Sequence, residues 1–224
     1  MELELKKECL DTYELGEPQT LTQEETAETI VPDYCPDIAR IISAEGVVCL
    51  HGGTEQDGVT GTVRVTVLYT PENESGVRAL EFAMPFSAQG EGLAGCAHVV
   101  VETEIELLES RMLNPRKIFT RCKLGTHLAG CRKVCLTISS DAETDPALLV
   151  EKRCCGQTVS LLRQVAEKDL TFSETMSLSL GREGAAELLH CRANGIVTET
   201  KAIGNKLIFK GVFLVSVLYR ATGG

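Results

Sequence analysis

Ten cysteines and four histidines are the residues of this chain best able to do chemistry, since thiolates and imidazoles ligate metals, attack electrophiles and exchange electrons. The densest group is Cys131-x3-Cys135, the adjacent pair Cys154-Cys155 and nearby His127. Zinc is usually held by closer pairs such as C-x2-C on a tight turn, whereas an i, i+4 pair on a strand lies about 13 Å apart. Unless the chain bends, that group cannot share one ion, so no metal or other cofactor is expected. A redox role for Cys154-Cys155 has no stronger support. His51, His98, His127 and His190 are scattered, and no G-x-S-x-G, H-E-x-x-H or phosphate-cradling glycine loop is present. No catalytic residue is assigned, and the chain is not expected to be an enzyme.

The start, "MELELKKECLD", alternates charge with leucine and has no apolar signal-peptide core, and no later run approaches the roughly 20 residues that span a bilayer. A cytoplasmic protein with reduced thiols follows as the expectation. Cys49 in "VVCL", Cys122 in "FTRCKL" and Cys135 in "KVCLTI" then read as small packing residues inside strands. Net charge is −10 and the pI is near 5.0, so the field of the chain opposes nucleic acid and anionic membranes. Aromatics make up 4% with no tryptophan, which leaves little material for stacking on bases or sugars. The acidic stretches "TQEETAE" (22–28) and "VETEIELLE" (101–109) read as solvated strand faces rather than cation sites.

The elements that must position these residues are written with period two. Val63, Val65, Val67 and Tyr69 alternate with Thr62, Arg64 and Thr66, as in a half-buried antiparallel strand. Val99, Val101, Thr103, Ile105 and Leu107 oppose Glu102, Glu104 and Glu106. Ile118, Thr120, Cys122 and Leu124 oppose Lys117, Arg121 and Lys123. Between these last two runs, Asn114-Pro115 starts a turn, so 97–128 reads as a β-hairpin with an acidic face beside a basic one. Turn signals at 51–58, 70–76 and 89–95 complete a mainly β pattern: an antiparallel sandwich or open-barrel-like tandem repeat with short helical turns. The helical turns are placed at 37–43, 145–152 and 183–191.

An internal repeat sets the domain count. "GTVRVTVLY" (61–69) matches "GVFLVSVLY" (211–219) at a displacement of 150, and "ELGE" (14–17) matches "QVAE" (164–167) at the same displacement. Between them Ile41-Ile42 falls on Leu188-Leu189 and Gly46 on Ala193 at 147, the difference being absorbed in loops. The expected organisation is a first domain over 1–135, a linker over 136–154, and over 155–224 the beginning of a second repeat in a piece of a longer protein.

The order of features resembles the SPOCS domain of clostridial spore-coat and spore-cortex morphogenetic proteins. The resemblance rests on "VPDYCPDIARIISAEGVV", "VRVTVLY", "MPFS" and "VETEIELLESRMLNPRK". The matching residues are Val31, Pro32, Pro36, Asp37, Ile38, Arg40, Ile41, Ile42 and Gly46, then Val67, Leu68 and Tyr69, then Pro85, Phe86 and Ser87, and finally Asn114, Arg116 and Lys117. It implies tandem β domains serving as a scaffold for protein partners on the mother-cell side of the forespore, without catalysis. A carbohydrate-binding or cell-wall-fragment-binding β domain is the alternative. The stretch "IVPDYCPDIARIIS" (30–43) reads as a strand-to-strand hinge, with Asp37 capping a helical turn of Ile38, Ile41 and Ile42 and with Cys35 incidental.

Overall fold

In the computed structural model, residues 4–51, 58–143, 151, 153, 156, 158–166, 168, 171–175, 177 and 184–222 are described. Among these residues nine antiparallel strands follow one another: β1 (Glu4–Leu15), β2 (Gln19–Ile30), β3 (Ile38–His51), β4 (Gly58–Pro71), β5 (Arg78–Gln89), β6 (His98–Asn114), β7 (Lys117–Glu143), β8 (Ala185–Ile203) and β9 (Lys206–Ala221). Strands β3, β4 and β5 form one sheet, β1, β2 and β6 all pair with β7 in a second, and β8 pairs with β9 in a two-stranded third. The sheets do not close into a barrel. The alternation expected for β4 is present, with Val63, Val65, Val67 and Tyr69 buried. They pack with Ile118, Cys122 and Leu124 of β7 and with Ile105 and Leu108 of β6 in one core between the two sheets. Each such side chain contributes about 1.5–3 kcal/mol by leaving water.

Strand β7 is the spine of the second sheet. Its first half lies between β2 and β6, and its second half pairs with β1, from Leu15↔Cys131 to Glu4↔Glu143. Residues 136–143, assigned to the linker from sequence, therefore continue β7. Two glycines allow close approach. At Gly46 a Cβ would meet Ile105 Cδ1 at 2.8 Å, so β6 can cross β3 there. Gly61 pairs with Phe86, whose ring lies over it and fills the missing side chain.

No helix occurs among the described residues, which corrects the reading of 37–43 and of 184–191 within 183–191; residue 183 and, of the third stretch, 145–150 and 152 lie outside the described residues. The cause at 37–43 is a pair of β-bulges. The register runs Ile38↔Pro71, Arg40↔Thr70, Ile41↔Tyr69 and Ser43↔Leu68, leaving Ala39 and Ile42 as extra residues. Each bulge adds one residue to the two-residue strand period, so Ile38, Ile41 and Ala44 face the core at intervals of three and imitate a helix face. A bulge at Glu106 likewise shifts the face of β6: Leu108 packs on the core, while Leu107, expected inside, is exposed.

The β8–β9 pair repeats this geometry. Ala185↔Ala221, Glu187↔Arg220, Leu188↔Tyr219 and His190↔Leu218 follow the β3–β4 register residue for residue, with extra residues at Ala186 and Leu189. Its surroundings differ. Val63 is 0% exposed and Val65 1%, whereas Phe213, the counterpart of Val63, is 59% exposed and Leu188, the counterpart of Ile41, is 62%. Glu187 meets Arg78 of β5 at 3.2 Å and Arg220 at 2.8 Å.

Candidate functional site

Of the residues that carry the family resemblance, those of the 31–38 stretch and of the β6–β7 turn meet where the hinge touches that turn. Pro32 and Pro36 lie beyond the end of β2, where a residue without an amide proton costs no ladder bond. The Cys35 amide donates to Pro32 O at 2.9 Å, turning the hinge back on itself. At the tip of the other element Asn114 Oδ1 accepts from the Arg116 amide at 2.9 Å, the local side-chain turn for which asparagine is suited. Backbone bonds join the two: the Val31 amide to Arg116 O and the Ile38 amide to Pro115 O, both 2.9 Å.

The Arg116 guanidinium closes the contact. Nη1 donates to Cys35 O at 2.8 Å and to Asp37 Oδ1 at 3.1 Å; Nη2 donates to Val31 O at 2.8 Å and to Asp33 Oδ1 at 3.1 Å. Asp33 is fully exposed, so its pair adds little; the two carbonyls and Asp37 carry most of the stabilisation. Lysine, a point donor, could not reproduce this fork. Asp37 thus anchors an arginine instead of capping a helical turn. Lys117 beside it pairs with Glu28 of β2.

Tyr69 forms the floor. Its hydroxyl donates to Pro36 O at 3.3 Å, and burial followed by the Cys35 thiol beside it pushes its pKa up to about 12. Ile38 is buried, Ile41 packs against the core from β3, and Arg40 is exposed, its carbonyl accepting from the Thr70 hydroxyl at 3.4 Å. Pro85 and Phe86 lie elsewhere, on β5: proline exposed on the outer strand of the sheet, phenylalanine in the core. Asp33 and Glu28 complete the arrangement without having been singled out from sequence. "TQEETAE", read as solvated surface, supplies Glu28 and also Glu24, which lies 2.6 Å from Arg121 Nη2. The pairing of acidic β6 with basic β7 holds at Lys123 and Glu106, 2.6 Å apart, while Lys117 and Arg121 turn to β2.

The cysteines are dispersed. Cys122 lies in the core, where burial raises its pKa to about 11, as suits a packing thiol. Cys49 is half-buried. Cys135 is joined to Cys9 across β1 and β7 with Cα atoms 5.8 Å apart, which corrects the expectation of a buried, reduced packing residue. Cys131 is buried, and Cys154 and Cys155 lie outside the described residues. His127 is 3.1 Å from the Thr20 hydroxyl and 3.9 Å from Glu104. No group of three or more metal-ligating side chains occurs among the described residues.

A groove on the outer face of β2, β7 and β6 is lined by Glu24, Glu109, Ser110, Arg111, Phe119 and Arg121. Arg111 lies 4.8 Å over the Phe119 ring, so the one aromatic face there is already covered. No helix among the described residues is long and apolar enough to cross a membrane. No protein-family model matches the chain, and neither a curated protein nor a solved structure matches it.

Proposed function

We propose that the chain is a non-enzymatic scaffold or interaction module of spore-coat or envelope assembly, acting from the cytoplasm of the mother cell through protein partners. The observation that carries this reading is the largely exposed apolar face of β8–β9, which among the described residues meets the Phe172 ring, 5.2 Å from that of Phe213. Leu188, Phe213 and Val217 are exposed there, although their counterparts Ile41, Val63 and Val67 pack in the core of the first unit. A patch of that kind marks a contact surface. The residues Pro32, Pro36, Asp37, Ile38, Asn114 and Arg116, on which the SPOCS resemblance rests, gather in a latch of backbone and ionic bonds that fixes one sheet against the other. That arrangement suits a rigid carrier of binding surfaces. Capture of coat or morphogenetic proteins from a sporulating clostridial lysate by the full chain, lost on Phe213→Asp, is the expected result. Recovery of no such protein contradicts the reading.

A further inference from the structure

Strand β7 runs on beyond the packed part of the sandwich. Strand β6 last pairs with it at His98↔Cys131, so over 132–143 its strand partner among the described residues is β1 alone. The buried clusters end near the same point, at Leu128, with Cys131 the last buried residue of the strand. Leu162 covers the root of the resulting ribbon: its carbonyl accepts from the Tyr13 amide at 2.8 Å and from the Thr12 hydroxyl at 3.0 Å. Farther out, residues 4–9 and 135–141 are exposed one after another, and the ladder is broken by an extra residue at Ser140. The Lys133–Asp11 ion pair, 3.2 Å apart, is open to water and adds little. A two-stranded ribbon without a packed face is marginally stable in water.

The Cys9–Cys135 bond lies in that ribbon, between Cα atoms 5.8 Å apart, an ordinary disulfide span. Both residues are exposed, so a thiol in solution can reach the sulfurs. The bond secures no core side chain, because the core ends before it. Cys35, Cys49, Cys96, Cys122, Cys131 and Cys191 are free thiols, so the chain is not built on a disulfide framework. A single exposed bond among free thiols has the character of one that is made and broken rather than one that holds a fold.

We propose that Cys9 and Cys135 form a reversible redox clasp, exchanged with low-molecular-weight thiols and disulfides of the glutathione class. Oxidised, it holds the ribbon closed; reduced, it lets residues 4–11 of β1 part from β7 and turns their ladder groups to water. This goes beyond the scaffold reading and does not depend on it. In closing, one of the two thiolates attacks a sulfur of the small disulfide RS–SR, forming a mixed disulfide and expelling RS⁻. The second cysteine thiolate then attacks the protein sulfur of the mixed disulfide and expels the other RS⁻. The two cysteines together lose two electrons and two protons, which the small disulfide takes up as two RSH. Opening is the reverse, with two RSH as reductant.

The chain is equilibrated with rising ratios of oxidised to reduced glutathione, its thiols are trapped with iodoacetamide, and its peptides are mapped by mass spectrometry. The expected result is a Cys9–Cys135 fraction that rises smoothly with the ratio and reaches the same value from either direction. In amide hydrogen exchange, the ladder amides of 4–11 and 135–143 are expected to exchange about tenfold faster in the reduced chain, with the β4 amides from Val63 to Tyr69 unchanged. The double variant Cys9→Ser, Cys135→Ser behaves as the reduced chain in both buffers, and its slow β4 amides report that it folds. Four results overturn the proposal: a bond that never forms from oxidised glutathione, a bond that excess reduced glutathione leaves intact in the folded chain, a ribbon that exchanges alike in both states, and β4 amides that speed up together with the ribbon.

Discussion

Strand pairs β3–β4 and β8–β9 have the same register and the same first two bulges, yet one is the centre of a core and the other lies largely in water. Val65 is buried between two sheets; Val215, its counterpart 150 residues on, has β8 as its one strand neighbour among the described residues. Register in a hairpin is set by neighbours along two adjacent strands and survives without a second layer. Burial depends on strands distant in sequence, here β6 and β7. The same logic accounts for residues 158–166 and 171–175, which form no strand. Among the described residues β1 and β2 of the first unit have β7 as their partner strand, and the second unit has no counterpart of that spine.

The comparison breaks most visibly with a buried charge. Val65→Asp is expected to cost more than about 4 kcal/mol and unfold the first unit, whereas Val215→Asp costs less than about 1.5 kcal/mol; urea unfolding of both variants measures the difference. Equal losses would show that β9 is covered as β4 is. The latch comes next. Arg116→Lys, which keeps the charge and loses the fork, is expected to lower stability by about 2 kcal/mol in the same assay.

Tyr69→Phe is expected to cost about 1 kcal/mol by removing the bond to Pro36 O. The pH dependence follows from the same residue. Its folded-state pKa is raised from 10.0 to about 12, so the stabilisation is complete below pH 10 and is lost as pH rises from 10 towards 12. Phenylalanine removes that part of the alkaline loss, which thermal melts between pH 9 and 12 would detect. The smallest effect is expected at Cys35→Ser, within about 0.5 kcal/mol of the parent, because its backbone does the bonding in the hinge. A large loss there would make the thiol beside Tyr69 a structural partner in its own right.

Much of the fold is legible in the sequence where one period holds for a whole strand. Val63 to Tyr69 and Ile118 to Leu124 name their buried faces without help from the structure. The period misleads at bulges, because one added residue turns a spacing of two into three at Ile38, Ile41 and Ala44 and reverses the face of β6 after Glu106. The hinge prolines and the Asn114 turn are readable as local devices. Their contact is not, since Arg116 lies more than seventy residues beyond its acceptors and nothing in a single sequence records that approach. The Cys9–Cys135 pairing escaped for the same reason: β1 and the end of β7 are neighbours only after the sheet forms.

Residue-resolved amide hydrogen exchange on dilute, monomeric protein tests the paired but largely exposed state of β8–β9 most directly. In β4, held between β3 and β5, odd and even amides are all expected to exchange slowly. In β9, even-numbered amides from Ile208 to Arg220 are expected to be protected by β8, and odd-numbered ones from Leu207 to Tyr219 to exchange near the rate of free peptide. Uniform protection along β9, or none at all, would contradict the account.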